Sequence, residues 1–232
     1  MQTQNQNDIT NTNSYFLYIG ILFVAVLMIA NTVAAKIIQI GPFAVTGGIL
    51  VFPISYIFGD ILTEVYGYKA SRKIIWAGFT SLIFMSLTYW LVELMPSAPF
   101  WQNQNAYSLI LGTIPRIVFG SMVGYFAGEF SNSYILSRMK IWTNGKYLWA
   151  RTIGSTIIGE AVDTILFTTV AFFAILPTDA LITIILSGYF LKVLYEIIMT
   201  PVTYMIVAWL KQKEGLDVYD RGISYSPFIL EE

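Results

Sequence analysis

The sequence consists mainly of long apolar runs separated by short polar segments. Each run is close to the roughly 20 residues that a helix needs to cross the hydrocarbon core of a membrane. The runs are continuous and do not alternate between apolar and polar residues, which excludes a membrane β-barrel. The pattern therefore predicts an all-α membrane protein with six transmembrane helices, at residues 15–35, 43–66, 74–92, 108–136, 148–176 and 180–210.

Two of the predicted spans contain residues that disturb a helix. The second span holds Gly47, Gly48 and Pro53, so we expect it to cross the membrane with a break near its start. The sixth span contains the pair Thr200-Pro201. Because proline lacks an N–H and its ring crowds the preceding turn, we expect a kinked or loosened helix there.

Lysine and arginine are distributed unevenly over the polar segments. Ten of them lie in or beside the loops on one side of the predicted bundle, whereas the other side has Lys36 alone. An excess of this kind marks the cytoplasmic side. We therefore predict that both termini are cytoplasmic, with a polar tail at 1–14, a transmembrane domain at 15–210 and a C-terminal tail at 211–232. The ten cations are Lys69, Arg72, Lys73, Arg138, Lys140, Lys146, Arg151, Lys211, Lys213 and Arg221.

The two halves of the chain show a weak similarity to each other. Gly59-Asp60 precedes the basic loop that follows the second span, and Gly128-Glu129 precedes the basic loop that follows the fourth. Such a correspondence is consistent with a 3+3 pseudo-repeat.

The composition narrows the chemistry that the chain can perform. Charged residues make up 12% of the chain, against about 25% in an average soluble domain. Cysteine and histidine are absent, which excludes thiol and imidazole chemistry. No phosphate-binding loop occurs, and a net charge of −1 gives no field that attracts nucleic acid. We therefore expect a protein that is not an enzyme and that binds no metal or cofactor.

Ionisable side chains inside the predicted spans are the candidate functional residues. Each costs several kcal/mol at the bilayer centre unless it is paired or faces a wet cavity. In the second span, Tyr56, Asp60 and Glu64 are four residues apart and share one ridge of the helix. Glu160 and Asp163 lie near the middle of the fifth span. These acids predict a substrate or a partner inside the bundle.

Two intramembrane cations have more than one interpretation. Lys192 and Glu196 are four residues apart in the sixth span, so they form either an intrahelical ion pair or part of a ligand site. Arg116 lies on a stripe of glycines in the fourth span, at Gly112, Gly120, Gly124 and Gly128. Because glycines permit close helix packing, within one chain or across a dimer, the stripe either serves packing alone or places Arg116 in the bundle or a cavity, where it would complement Glu160, Asp163 or Glu196.

Two loop arginines also have two interpretations. Arg72 and Arg151 either set the orientation of the chain or pair with Asp60, Glu64 or Glu129. In the second case they would form an inner gate that breaks and re-forms during alternating access.

Residues 59–72, with the sequence Gly-Asp-Ile-Leu-Thr-Glu-Val-Tyr-Gly-Tyr-Lys-Ala-Ser-Arg, resemble the hallmark segment of the queuosine precursor transporter family. The members of that family are small bacterial membrane proteins of a vitamin-uptake type. Residues 31–36 and 149–151 with Ser155, Asp163 with Phe167, and Lys192 match the family in the same order. The resemblance extends from about residue 25 to residue 200. It departs at Glu160, where the family would have glutamine.

This resemblance implies import of 7-cyano- or 7-aminomethyl-7-deazaguanine, bases that are salvaged for a modified tRNA nucleoside. A guanine-like edge offers two N–H donors beside a carbonyl, so a carboxylate can accept from both donors while a cation reaches the carbonyl. Aromatic rings would stack on the base. The residues expected to bind it are Asn31, Tyr56, Asp60, Glu64, Arg116, Glu160, Asp163, Phe167, Tyr189 and Lys192, and those expected to gate or orient are Arg72, Trp149 and Arg151.

The expected location is the bacterial cytoplasmic (inner) membrane, as a multi-pass protein. The expected partners are a purine-like base and the lipid bilayer, with a homodimer as an open alternative and no nucleic acid. A second function remains open at this stage, namely the substrate-capture subunit of an energy-coupling-factor transporter. That subunit is also a small six-helix protein, but it would require motor subunits.

Overall fold

The computed structural model describes residues 15–229, and in this range the chain forms seven α-helices and one two-stranded hairpin. The predicted polar tail at 1–14 lies outside the described residues. In chain order the elements are α1 (Tyr15–Val33), β1 (Ile37–Ile40), β2 (Phe43–Thr46), a 3-10 helix (Gly47–Leu50), α2 (Phe52–Tyr66), α3 (Tyr68–Leu94), α4 (Gln104–Leu111), α5 (Ile114–Trp142), α6 (Leu148–Phe172) and α7 (Thr178–Glu214).

Five helical segments of the described chain are long and apolar enough to cross a membrane. They are α1, α3, α4 together with α5, α6 and α7, and they correspond to the first, third, fourth, fifth and sixth predicted spans. The prediction of six spanning helices is therefore confirmed for these five. Helix α7 continues through Pro201 as a single element of 37 residues.

The second predicted span is not a full-length helix. Residues 43–66 form β2, the 3-10 helix and α2, whose 15 residues cover about 22 Å, less than the roughly 30 Å hydrocarbon core. Gly47 and Gly48 explain the break, since a Cβ at these positions would lie 2.6 Å and 3.0 Å from carbonyl oxygens of α1. Pro53 then occupies the first turn of α2, where its missing N–H costs nothing.

Helix α2 lies at the centre of the bundle. It packs against α1, α3, α5 and α7, and thirteen of its fifteen residues are buried, including Asp60 and Glu64. Its charged ridge is therefore shielded from lipid by protein, which is where charged groups at membrane depth are tolerated.

The start of α1 and the end of α7 lie at the same end of the bundle, where the backbone N–H of Tyr15 donates to Glu214 over 2.6 Å. We call this end the basic end, because the side chains of Lys140, Arg151 and Lys211 meet there. The predicted 3+3 pseudo-repeat stays a prediction.

The glycine stripe of α5 packs against α6 within the same chain. A Cβ at Gly124 would lie 2.7 Å from the carbonyl oxygen of Asp163, and one at Gly128 would lie 2.6 Å from the Asp163 Cβ. These are closer than any normal contact. Glycine at these positions therefore lets α5 approach the helix that carries Asp163.

Replacing Gly128 by alanine is expected to destabilise the protein. The new methyl group overlaps Asp163 Cβ and the Gly159 carbonyl oxygen, and overpacking of this kind costs about 1–3 kcal/mol. The matched control is Gly154→Ala, whose Cβ meets only the flexible side chain of Met139 at 3.3 Å. Thermal unfolding in detergent should place the Gly128 variant below the wild type and the Gly154 variant level with it or above it. Equal stability of the two variants would contradict this packing.

The C-terminal segment docks on the basic end. Residues 215–229 follow α7, and Arg72 donates to the carbonyl oxygen of Ser226 over 2.5 Å. Asp220 accepts from the Tyr68 N–H at 2.9 Å and from the Ser137 hydroxyl at 2.7 Å. The first of these bonds caps α3, which begins directly after Gly67 because this glycine adopts a positive φ of 84°.

Replacing Asp220 by alanine is expected to release this segment. The variant loses the α3 cap and the Ser137 hydrogen bond, together worth about 1–2 kcal/mol. This corresponds to at least about a fivefold rise in the released population. Limited trypsin digestion would measure it as faster cleavage after the exposed Arg221, with the exposed Asp179→Ala as control. Unchanged cleavage of the Asp220 variant would mean that other contacts hold the segment.

Candidate functional site

A cavity lies between the hairpin and the helices, with about 520 Å³ of space that is free of protein atoms and that includes space open to solvent. Helices α1, α2, α5, α6 and α7, the strand β2 and the 3-10 helix contribute to its wall. The predicted residues that line it are Asn31, Asp163, Phe167 and Lys192, and further lining residues include Thr46, Phe52, Ser121, Thr164 and Thr168.

Lys192 occupies the polar side of this cavity. Its Nζ lies 2.8 Å from Asp163 Oδ2 and 2.8 Å from Glu160 Oε2, and it donates to the Thr164 hydroxyl over 3.2 Å. It also lies 4.2 Å from the centre of the Phe52 ring. One cation thus faces two carboxylates, so this group keeps a net negative charge when both are ionised.

The intrahelical pair between Lys192 and Glu196, considered from the spacing, is not formed. The ion pairs of Lys192 in the described chain go to α6, and Glu196 takes part in none. Lys192 therefore links α7 to α6 across the wall of the cavity. The same side chain therefore lines the cavity and holds α6 and α7 together.

Asn31 brings an unused acceptor to the same cavity. Its Nδ2 donates to the Leu27 carbonyl oxygen of its own helix over 2.9 Å. Its Oδ1 is buried and has no hydrogen-bond partner within residues 15–229. A buried amide oxygen without a partner is costly, so a donor on a bound molecule would satisfy it.

Two phenylalanines supply flat surfaces. Phe167 was predicted as a stacking residue, and the structure places it in the cavity wall. Phe52 was missed. It lies one helical turn before Tyr56, so extending the Tyr56, Asp60 and Glu64 ridge backwards by one turn would have found it. Both rings can stack on a planar ligand.

The rest of the predicted α2 ridge leads away from the cavity. Tyr56, Asp60 and Glu64 do not line it, because α2 starts at the cavity and runs to the basic end. The Tyr56 hydroxyl lies against Gly128 of α5, where a Cβ would be 2.8 Å away. Asp60 accepts a 2.7 Å hydrogen bond from Asn132 Nδ2.

Three other predicted residues lie outside the cavity. Arg116 does not reach the acids, since it donates to the carbonyl oxygens of Val170 and Phe173 near the C-terminal end of α6. Tyr189 donates to the Ile157 carbonyl oxygen over 3.3 Å. The side chain of Trp149 is exposed.

Glu64 is the centre of a charge cluster at the basic end. Both terminal nitrogens of Arg151 donate to its carboxylate, Lys211 lies 2.6 Å away and Lys140 lies 3.6 Å away. Of the two arginines considered for an inner gate, Arg151 therefore meets a predicted acid. Arg72 instead holds the C-terminal segment through the carbonyl oxygens of Ser224 and Ser226.

Asp217 of the C-terminal segment joins this cluster, which the sequence analysis did not anticipate. It lies 2.6 Å from Lys140 Nζ and 2.8 Å from Lys211 Nζ. Burial alone would raise the pKa of Asp217, but the hydrogen bonds from Lys140 and Lys211 hold it below its usual value. Asp217 is therefore charged at neutral pH, and the C-terminal segment is tied to the lysines that also contact Glu64.

The sequence is similar to proteins that are named as transporters. Residues 46–206 match the family model described as "Putative vitamin uptake transporter". A "Probable queuosine precursor transporter" of Bacillus subtilis (strain 168) is 30% identical over 190 residues, which cover 82% of this chain and 81% of the relative. A "Queuosine precursor transporter" of Escherichia coli (strain K12) is 24% identical over 199 residues, which cover 83% and 86%.

No solved structure matches the chain significantly. The family match covers more than half of the sequence and contains α2, the glycine stripe, Asp163 and Lys192. The chain is therefore a multi-pass membrane protein that belongs to the vitamin uptake transporter family, among relatives named queuosine precursor transporters.

Proposed function

We propose that this protein imports a 7-deazaguanine base, such as 7-cyano- or 7-aminomethyl-7-deazaguanine, and that the cavity beside Lys192 is its binding site. The names of two relatives support a substrate of this kind. The observation that carries the proposal is that Asp163, Lys192 and the unpaired amide oxygen of Asn31 line the same cavity as the rings of Phe52 and Phe167.

The chemistry of the cavity fits the edge of a guanine-like base. The Asp163 carboxylate accepts from two adjacent N–H groups, and Lys192 donates to the neighbouring carbonyl oxygen. Asn31 Oδ1 accepts from a further N–H of the ring system. Phe52 and Phe167 stack on its faces, which gives affinity to any flat base. The base therefore replaces one of the three contacts that Lys192 makes with Asp163, Glu160 and Thr164.

The distribution of cations supports an orientation in the membrane. The basic end faces the cytoplasm, in keeping with the excess of lysine and arginine on cytoplasmic loops. Both termini then lie in the cytoplasm, and the protein resides in the bacterial inner membrane. The Glu64 cluster closes the cytoplasmic side, so opening this cluster releases the base into the cell.

Uptake by cells that lack a deazaguanine transporter tests the proposal. Cells that express this chain should accumulate radiolabelled 7-cyano-7-deazaguanine, and cells that express Asp163→Asn should not. The matched control is Asp179→Asn, which makes the same change at an exposed residue of α7 and should transport normally. Tight binding of the base without uptake, in cells that lack energy-coupling motor subunits, would instead identify a substrate-capture subunit. Absence of both binding and uptake would contradict the proposal.

A further inference from the structure

Three buried carboxylates lie between the cavity and the Glu64 cluster without a cation. They are Asp60 of α2, Glu129 of α5 and Glu196 of α7, and each is at most 2% exposed. Among the residues that the structure describes, none of the three takes part in a salt bridge. They differ in this from Glu64, Glu160 and Asp163, each of which contacts a lysine or an arginine.

Neutral groups provide the hydrogen bonds of the first two acids. Asp60 Oδ1 accepts from Asn132 Nδ2 at 2.7 Å, and its Oδ2 has no hydrogen-bond partner among the described residues. Glu129 Oε1 accepts from the Ser133 hydroxyl at 3.4 Å; in the same described range its Oε2 has no hydrogen-bond partner, and the Tyr125 hydroxyl faces this carboxylate. The Glu129 carboxylate rests on the backbone of α2 at Gly59, where any Cβ would overlap it. Glycine at position 59 thus brings the acid of α5 against the helix that carries Asp60.

Polar groups that are not acids point to a ligand in the same region. Among the described residues, Asn132 Oδ1, the Tyr56 hydroxyl and the Thr156 hydroxyl are buried and have no hydrogen-bond partner. Asn132 also contacts Asp60, Tyr56 faces Glu129, and Thr156 lies one turn before Glu160 on α6. Buried polar atoms are almost always satisfied in native proteins. The unsatisfied atoms of Asn132 and Tyr56 beside the carboxylates therefore favour binding of a proton or water in this region.

The charged groups that face these acids are other carboxylates, whereas Asn132 and Ser133 donate neutral hydrogen bonds to them. Asp60 faces Glu64 on its own helix, Glu129 of α5 and Glu196 of α7. Glu129 faces Glu160 and Asp163 of α6 and the hydroxyls of Tyr125 and Ser133 on its own helix. An unpaired carboxylate in a low-dielectric interior neutralises by taking up a proton, the more so beside other acids. A metal ion does not fit, because no group of three acidic side chains in the described range has suitable spacing.

Tyr56 connects this region to the cavity. Its hydroxyl is close enough to Glu160, Asp163 and Glu129 to interact electrostatically with all three carboxylates. Along α2, Tyr56, Asp60 and Glu64 follow one another at intervals of one turn, from the cavity to the basic end. The ridge predicted from the sequence therefore places protonatable groups at one-turn intervals along buried helix α2.

We propose that Asp60 and Glu129 form a proton-binding site, and that an inward-moving proton drives import of the base. This inference rests on the proposed function and adds its energy source. The proton enters through the cavity, is held between α2 and α5, and leaves past Glu64 when the charge cluster opens. Its presence on Glu129 removes a negative charge that faces Glu160 and Asp163, the partners of Lys192. Protonation and base binding therefore influence each other.

Proteoliposomes that contain a pH-sensitive dye test this proposal. With an acidic exterior, the wild type should concentrate 7-cyano-7-deazaguanine, and addition of the base should acidify the interior. Glu129→Gln mimics the protonated acid permanently, so accumulation and acidification should fall to the level of protein-free vesicles. Exchange of internal for external base should persist, because it needs no net proton movement. The matched control is Glu93→Gln, a half-buried acid near the end of α3, which should leave both signals unchanged.

The outcomes separate this proposal from the proposed function. Two results would overturn the proton site and leave base transport intact. One is accumulation of the base by the Glu129→Gln variant under a proton gradient, and the other is accumulation by the wild type that does not depend on the proton gradient. Failure of the wild type to exchange the base at all would instead overturn the proposed function. Asp60→Asn should repeat the Glu129→Gln result. Both variants should unfold near the wild-type temperature, and a large loss of stability in both would overturn the proposal, because it would show that the acids are charged.

Discussion

Replacing Lys192 by methionine is expected to abolish uptake of the base. Methionine keeps most of the side-chain length but removes the charge that contacts Asp163, Glu160 and the cavity. Loss of one hydrogen bond to a charged group costs about 1.5–3 kcal/mol, which is about a 10- to 100-fold loss at each step that uses it. Two adjacent carboxylates without a cation add repulsion. Initial rates of radiolabelled base uptake would measure the effect.

Two further variants separate binding from folding. Lys213→Met makes the same change at an exposed residue of the same helix and should transport normally. Lys192→Met combined with Glu160→Gln restores the net charge of the group, so this double variant should regain stability while uptake stays absent. Normal uptake by the double variant would show that Lys192 only compensates charge, and the cavity would lose its cationic contact with the base.

The five spanning segments were predictable from the sequence because hydrophobic length alone determines them. A run of about 20 apolar residues has no stable place outside lipid, whichever partners it packs against. The observed helix ends differ from the predicted ones by several residues. For example, α3 starts at Tyr68 instead of residue 74, and α7 ends at Glu214 instead of residue 210. Polar residues at these ends extend a helix beyond the hydrocarbon core without changing hydropathy inside it.

The second span could not be predicted to the same degree. Gly47, Gly48 and Pro53 predicted a break in the helix. The hairpin and the 3-10 helix that form there depend on contacts with residues that are distant in the sequence. Phe43 of β2 stacks on Phe190 of α7, with ring centres 5.5 Å apart. Only the assembled bundle provides this surface. Helix α2 is short because the residues before it form β2 and the 3-10 helix, which line the cavity.

The candidate site was predicted in its residue types more than in its pairings. Charges at membrane depth signal function wherever they occur, which identified Asp163 and Lys192. The i, i+4 spacing is compatible with an ion pair between Lys192 and Glu196. In the structure Lys192 instead pairs with Asp163 and Glu160. Rotation of α7 about its axis decides between these partners, and that rotation is fixed by packing. The C-terminal segment was missed for the same reason, since Asp217 acquires its role only when two lysines meet it.

Replacing Glu64 by glutamine is expected to cause the largest loss of stability. Its carboxylate is almost fully buried and contacts Arg151, Lys211 and Lys140. Removal of one partner of a buried charge group leaves the remaining charges uncompensated, which costs about 3–5 kcal/mol. Asp217 still offers its carboxylate to both lysines, whereas Arg151 keeps only carbonyl oxygens of the preceding loop. Thermal unfolding in detergent, followed by circular dichroism, would measure the change.

Glu214→Gln provides the matched control at the same end of the bundle. Glu214 accepts from the Tyr15 N–H and from the Tyr66 hydroxyl, so glutamine can keep both bonds and the cost should stay near 1 kcal/mol. If the two variants unfolded at the same temperature, the cations around Glu64 would be compensated by water, and the basic end would be open in the resting protein. A clear difference between them would mean that this end is dry and closed, so that release of the base requires Arg151 to leave Glu64.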